Sequence, residues 1–396
     1  MLSHHPDTAA TVPRQRERDN IYYWKCDRAA PFHGTDGSGG DLVSMTEQLL
    51  TALQHRFPQY QLYIEVLNSQ GNHRTFLLHI RHPDDLGEKT LKAPSHFPED
   101  LSIAFIRTED GPEQDNYFAV EGVVTKAVRD CGVSVPRVWL SDCSRRELPY
   151  AWQILDYLPY PDLNQHYKEG NLDLFTVANK IGVAVAKWQE IRPNGFGPFS
   201  IAAAQSKQQL AGLHATYRSY FLLNLHRHLD FLKTRGFLTY TQTVEISATI
   251  AAFDHLLELP QGVLVHKDLA LWNILGSPEK IAAFIDWDDV IAGDPMDDMS
   301  LLACFHDGKI IESALRGYQQ VRPLPENWLP RLWLHLLRNM IVKSVIRVGA
   351  GYFDRDDGFY LISSGGSGAG LAEMTRQRLA IALRGLNDNC DLDILK

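Results

Sequence analysis

The stretch Gly262–Asp289, GVLVHKDLALWNILGSPEKIAAFIDWDD, decides how this chain is read. An apolar run, Gly262–Val265, delivers His266, Lys267 and Asp268, and Asn273 follows five positions after Asp268. A Gly-Ser-Pro-Glu turn leads into a second apolar run, Ile281–Ile285, which delivers Asp286. A hairpin of these two runs would bring Asp268, Asn273 and Asp286 to one end. Two carboxylates and an amide oxygen around one spot make a site for a hard cation. Oxygen ligands of this kind suit Mg²⁺ beside a phosphate.

Asp-x4-Asn, then Asp on a following strand, is the order in which protein kinases present their base and metal ligands. A lone Asp-x4-Asn is common by coincidence. Here the weight comes from His266, both apolar runs and the IDWDD box arriving in the right order.

Upstream, the chain reads as a small α+β unit. Ser44-Met45-Thr46-Glu47 fits a capping box, and Leu49, Leu50, Leu53 and Phe57 follow at helical spacing. QLYIEVL, RTFLLHI and LSIAFIRT read as strands, with a polar, proline-containing insertion over His82–Asp100. A helix is predicted over Asn116–Asp130, with Gly132 as its C′ residue, and VPRVWLSD and YAWQILDYL as two more strands. That order predicts an antiparallel sheet. From Leu172 onward the pattern is mostly helical, with amphipathic stretches at Leu172–Ile191, Ala203–Leu232 and Gln242–Leu259. The expected division is an arm over 1–40, an N-terminal lobe over 41–155 and a C-terminal lobe over 156–396. In the arm, NIYYWKCDR groups three aromatics that either dock onto the body or meet a partner.

Composition excludes several classes. The chain has 396 residues, a net charge of −9, 44% hydrophobic and 22% charged residues, which is ordinary globular usage. The acidic balance argues against nucleic-acid binding through a basic surface. The most apolar stretch, Leu332–Val348, is interrupted by His335, Arg338, Lys343 and Arg347, so no membrane span is expected. The first residues are polar and lack the apolar core of a signal peptide. Five scattered cysteines without a CxxC pair fit a reducing, cytoplasmic compartment.

HKDLALWN, IDWDD and GDPMDDMS together resemble the aminoglycoside phosphotransferase and choline kinase-like family of small-molecule kinases. Its members typically show HGDLHxxN, IDWxD or IDFxD, and GDPxxDLA. AVEGVVTKAVRDCGVSVPRVWLSD, WQILDYLPYPDL and AKWQEIRPNGFGPFS extend the resemblance over about Asn72 to Asp298. The resemblance implies an α+β, protein-kinase-like bilobed fold with a β-rich N-lobe and a mainly helical C-lobe. It implies transfer of the γ-phosphate of ATP, with Mg²⁺, to a hydroxyl of a small-molecule acceptor. Asp268 would be the catalytic base and His266 would hold its loop. Asn273 and Asp286 would bind the metal, and Asp288 would support metal or substrate. Asp294 and Asp298 would be structural. Backbone groups near Gln153, Asp156 and Tyr157 would meet the adenine.

The departures are specific. The glycine after the histidine is Lys267, which either contacts phosphate or faces solvent. The phosphate-gripping lysine is replaced by Arg107, with Glu121 as its expected ion-pair partner; the alternative is an exposed arginine at a strand end. The family's Leu-His pair appears as Trp188-Gln189. The turn expected over the phosphates, LNSQGNHRT, has one glycine. These changes keep open a second reading, a pseudokinase or regulatory nucleotide-binding module without turnover. His226-x-His228 faces two sides of a helix and is no metal site. SSGGSGAG lacks the strand and lysine of a phosphate loop, and Trp272 and Trp287 read as packing residues.

Overall fold

The computed structural model describes residues 42–67, 73–82, 97–98, 100–109, 117–354 and 367–396. The arm, the Gly71 turn and the first part of SSGGSGAG lie outside these residues. The described chain forms two compact units. The first contains residues up to Ala119 together with Arg137–Tyr157, and the second contains Val120–Pro136 and Leu158–Lys396.

In the first unit, helix α1 (Leu42–Arg56) precedes strands β1 (Gln61–Leu67), β2 (Arg74–Arg81) and β3 (Ile103–Glu109). Helix α2 (Phe118–Asp130), nearly all of it in the second unit, leads to β4 (Val138–Asp142) and β5 (Ala151–Asp156) of the first. The sheet order is β1-β2-β3-β5-β4, and every pair is antiparallel. Alternation sets the faces: Leu62 and Ile64 of β1 are buried while Gln61, Tyr63 and Glu65 are exposed. Leu49 and Leu53 of α1 join Phe76, Leu78, Ile106, Trp152 and Ile154 in one core. Ser44 lies inside α1 rather than capping it, and its hydroxyl accepts from Gln48 one turn on. Gly132 does end α2, at φ +73°, the left-handed conformation of a C′ glycine.

The second unit is mainly helical. Its helices are α3 (Leu163–Lys168), α4 (Leu174–Trp188), α5 (Ile201–Lys207), α6 (Tyr217–Phe221), α7 (Leu225–Thr234) and α8 (Tyr240–Ala252). After the strands come α9 (Asp297–Ala303), α10 (Gly308–Gln319), α11 (Trp328–Gly349) and α12 (Gly368–Asn387). The expected helix over Ala203–Leu232 is broken into three. Gln208 at φ +52° and Asn224 at φ +57° turn the chain between the pieces; asparagine is a usual left-handed residue, but glutamine is not. The text FGPF forms strand β6 (Phe196–Phe199), paired with β7 (Gly212–His214).

Four more strands frame the motif region: β8 (Val263–Val265), β9 (Ile274–Ser277), β10 (Lys280–Phe284) and β11 (Ile291–Gly293). The two apolar runs read as hairpin partners do not pair with each other. β10 pairs with β9, and β8 pairs with β11 in the sheet β7-β6-β11-β8. β8, β9 and β11, of three or four residues, are too short to show a period that would reveal these partners. Among the described residues no helix is long and apolar enough to cross a membrane.

Helices α4 and α10 meet at glycines. A Cβ on Gly182 would lie 1.8 Å from the Ala314 carbonyl oxygen, and one on Gly317 would lie 1.9 Å from that of Asn179. Propensity alone would make Gly182→Ala stabilising by about 1 kcal/mol. The backbone clash reverses the sign, because two helix backbones must separate and repack at a typical cost of about 1–3 kcal/mol. Gly182→Ala should therefore lower the melting temperature, measured by circular dichroism. A rise would show that the contact yields easily.

Candidate active site

β8 is fully buried and ends at His266, whose side chain is also fully buried. Its Nε2–H donates to the Ile285 carbonyl at 2.9 Å, and its Nδ1 accepts the Asp268 N–H at 3.3 Å. These partners are of opposite kind, so they require one neutral tautomer, protonated at Nε2. Burial holds the His266 pKa below its ordinary value, and outweighs the opposing pull of Asp268. Trp287 packs on the imidazole at 4.4 Å between ring centroids, and Trp188 packs edge-on against Trp287 at 5.2 Å. Both tryptophans are fully buried.

Asp268 remains partly accessible. Asn273 lies five positions on, after a single 3₁₀ turn over Leu271–Asn273. Its Nδ2 donates to the Asp268 carbonyl at 2.8 Å and to the Asp268 carboxylate at 2.9 Å. The amide therefore fixes the carboxylate and keeps its own oxygen for another partner. The Asn273 carbonyl accepts the Ile285 N–H at 3.0 Å. This bond follows from the hairpin register, in which Phe284 faces Ile274 and Ser277 faces Lys280 across a Pro278-Glu279 loop. The hairpin thus delivers Asn273 and Asp286 at the same end.

Asp286 sits at φ +65°, a left-handed conformation in which a non-glycine residue is strained. Asp286 and Asp288 each offer a carboxylate oxygen within 4.8 Å of the other. Asp288 is buried to 8% exposure. The next peptide is held as well, since the Trp287 N–H donates to Glu121 Oε1 at 3.3 Å. Ser134 accepts the Phe284 N–H at 3.0 Å, so α2 and the segment after it are tied to the hairpin at two points.

Beneath the loop lies a set of buried carboxylates on GDPMDD. Asp298 accepts from the His266 and Lys267 N–H groups, at 3.1 and 3.2 Å, and from Trp188 Nε1 at 3.1 Å. Burial pushes its pKa up to about 7, and Asp297 adds to the rise against those donors. Asp294 is also fully buried, and burial alone would raise its pKa. His335 and Arg331 beside it outweigh that and hold it below the ordinary carboxylate range. Trp188 and Gln189, which stand where the family pattern has Leu-His, both bind this segment: Gln189 Nε2 donates to the Pro295 carbonyl at 2.8 Å.

Lys267 neither faces solvent nor is available to a phosphate. It is only 10% exposed, and its ammonium bonds Asp297 and Asn339. That pairing was not visible in the sequence, because the partners are 30 and 72 positions away. Nor were Arg331, His335 and Asn339 recognised as site-supporting residues. Their spacing of four on α11 was the available signal.

In the first unit, Arg107 on β3 faces Gln153 on β5. Arg107 is buried to 8% exposure, with its guanidinium 5.3 Å from the Phe118 ring centroid, so it is no exposed strand-end arginine. Gln153 is fully buried. The Asp156 carboxylate accepts from Arg137 N–H and Trp139 Nε1, at 2.9 and 2.8 Å, which commits that side chain to β4. Tyr157 is 37% exposed.

The profile of the phosphotransferase enzyme family matches residues 106–331, more than half of the chain. The chain belongs to this family. A comparison with curated protein sequences finds no match. Solved structures of similar fold include a thermostable mutant of aminoglycoside phosphotransferase APH(4)-Ia in a ternary complex with ADP and hygromycin B. It is 15% identical, with a TM-score of 0.57 over 85% of this chain and 98% of that one. A candidate fructosamine-3-kinase from Thermobifida fusca is 16% identical, with a TM-score of 0.52 over 81% and 95%. Macrolide 2′-phosphotransferase from Brachybacterium faecium is 16% identical, with a TM-score of 0.50 over 77% and 93%. At these identities the likeness establishes the protein-kinase-like α+β fold.

Within this family fold, Asp294 is a testable support. Asp294→Ala leaves the Arg331 guanidinium without its buried partner, and breaking a buried pair costs about 3–5 kcal/mol. Denaturant unfolding should show a loss of that order. A loss under about 1 kcal/mol would mean that Arg331 finds solvent when Asp294 is removed.

Proposed function

We propose that this chain is an ATP-dependent phosphotransferase that moves the γ-phosphate to a hydroxyl of a small molecule. The observation that carries the reading is the Asn273 amide, which fixes the Asp268 carboxylate while the hairpin brings Asn273 and Asp286 to the same end. A carboxylate held by hydrogen bonding but still accessible can orient an acceptor hydroxyl and take its proton. Positioning and electrostatics carry most of the rate in phosphoryl transfer.

The donor set fits Mg²⁺: the Asn273 amide oxygen and the Asp286 and Asp288 carboxylates are hard oxygen ligands. Bound there, the ion would neutralise charge on the β- and γ-phosphate oxygens. Residues 41–155 would serve nucleotide binding, and residues 156–396 catalysis and acceptor binding. Arg107 would hold the α- and β-phosphates with Glu121 as its ion-pair partner, and the backbone from Gln153 through Asp156 to Tyr157 would meet the adenine. The acceptor belongs to the class of aminoglycosides, sugars, choline-like amines or amino alcohols. A cytoplasmic location fits the free thiols.

The test is transfer of label from γ-labelled ATP to a panel of such acceptors by the purified full chain. Asp268→Ala should lower kcat by about 10²–10⁴-fold, the usual share of a general base, while ATP binding persists. Turnover near that of the parent protein would remove Asp268 from the mechanism.

Arg107 makes a separate prediction. A charge-assisted hydrogen bond is worth about 1.5–3 kcal/mol. Arg107→Ala should therefore weaken nucleotide use by about ten- to a hundredfold. Arg107→Lys should recover only part of this, because an ammonium cannot fork onto two phosphate oxygens. Unchanged ATP kinetics in both variants would move the phosphate contact to another residue.

A further inference from the structure

Lys267 stands at φ +69°, where the family pattern has glycine, and a lysine is sterically disfavoured in that conformation. The residue is nevertheless held from both sides. Its N–H donates to Asp298 Oδ1 at 3.2 Å. Its Nζ donates to the two Asp297 oxygens at 3.1 and 2.9 Å, and to Asn339 Oδ1 at 2.8 Å. Asn339 in turn donates from Nδ2 to Asp297 Oδ1 and to Ser300 Oγ, both at 2.8 Å. Asp297 is fully buried, Lys267 is 10% exposed, and Asn339 is buried at 3%.

The partners belong to two other elements, the first turn of α9 and the middle of α11. Asp297 falls at a variable position of the GDPxxDLA pattern, so the cation and its carboxylate both depart from the pattern, and they meet. Arg331, His335 and Asn339 lie four positions apart on α11, and all three engage the GDPMDD segment. A long helix thereby grips both ends of that segment, and the grip continues through Lys267 to the peptide that precedes Asp268.

We propose that Lys267 is a positioning residue for Asp268. Its ammonium, locked onto Asp297 and Asn339, fixes the backbone turn that aims the base, where a glycine would leave that turn free. This rests on the phosphotransferase reading above. The rival is a purely structural role, in which the lysine only compensates a buried carboxylate.

Lys267→Met alone would strand the Asp297 charge and risks unfolding. The test therefore pairs Lys267→Gly/Asp297→Asn, which removes both charges and accepts the left-handed turn, with Lys267→Arg, which keeps a cation. ATP turnover is measured with water or with an acceptor found by screening. Misplacing a catalytic group by about 1 Å can cost about a hundredfold. The double variant should lose about ten- to a hundredfold in kcat with the KM for ATP unchanged, and Lys267→Arg should stay within about threefold of the parent. A folded double variant with parental kcat overturns the proposal.

A second measurement is independent of activity. Hydrogen exchange at the Lys267 and Asp268 amides, without nucleotide, should quicken at least about tenfold in the double variant as the turn loosens. Unchanged exchange overturns the proposal. If the parent protein turns over no ATP with any acceptor, the phosphotransferase reading falls, and exchange alone decides whether Lys267 holds the loop.

Discussion

The site depends on one buried carboxylate. Asp298 has no solvent contact and accepts three hydrogen bonds, from the backbone of His266 and Lys267 and from the Trp188 indole. A buried carboxylate without such donors would be prohibitively costly, so the three donors and the acceptor are mutually required. The requirement joins β8, α9 and α4 at one point. Trp188 cannot turn away without leaving Asp298 short of a donor, and the His266 peptide cannot tilt without the same penalty. The Lys267 peptide leads directly into Asp268, so the orientation of Asp268 depends on a group buried away from solvent.

A second constraint comes from pairing register. The β9–β10 hairpin closes through Pro278 and Glu279 and carries a bulge at Ala282, and this register brings Ile285 against Asn273. Shifting the register by one residue would turn the side chains to the opposite face and separate Asn273 from Asp286. His266 checks the alignment from the other side, because its Nε2–H reaches the Ile285 carbonyl. One residue, Ile285, thus donates through its N–H to Asn273 and accepts through its carbonyl from His266. Loop and hairpin share a single backbone joint.

Legibility in the sequence followed the range of the interaction. The antiparallel sheet of the first unit was readable because its strands are five to eight residues long and rich in β-branched, aromatic and other apolar residues. Asp268, Asn273 and Asp286 were readable because the spacing itself is the signal. The short strands β6, β7, β9 and β11 were not, since three or four residues cannot display a period. The break at Gln208 was hidden because a left-handed glutamine carries no sequence mark. Lys267 was misjudged for a different reason: its surroundings come from α9 and α11, and its immediate neighbours say nothing of them.

Two strained residues show how the fold converts packing into aim. Lys267 and Asp286 are both non-glycine and both left-handed, a conformation costing roughly 1–2 kcal/mol each. Each is the residue at which the chain leaves an apolar run and turns to present a carboxylate. Relaxing either to an extended conformation would continue the run and carry the acidic group away from the joint. Neither can relax, because hydrogen bonds bracket each turn. At Lys267 they run to Asp298 and Asp297; at Asp286 they fall on the flanking peptides, from His266 onto the Ile285 carbonyl and from the Trp287 N–H onto Glu121. His266, Asp297, Asp298 and Glu121 are each 2% exposed or less, where an unmet polar group costs about 1–3 kcal/mol. Undoing one turn breaks at least two such bonds, so the burial penalty exceeds the strain and holds Asp268 and Asp286 where the turns present them.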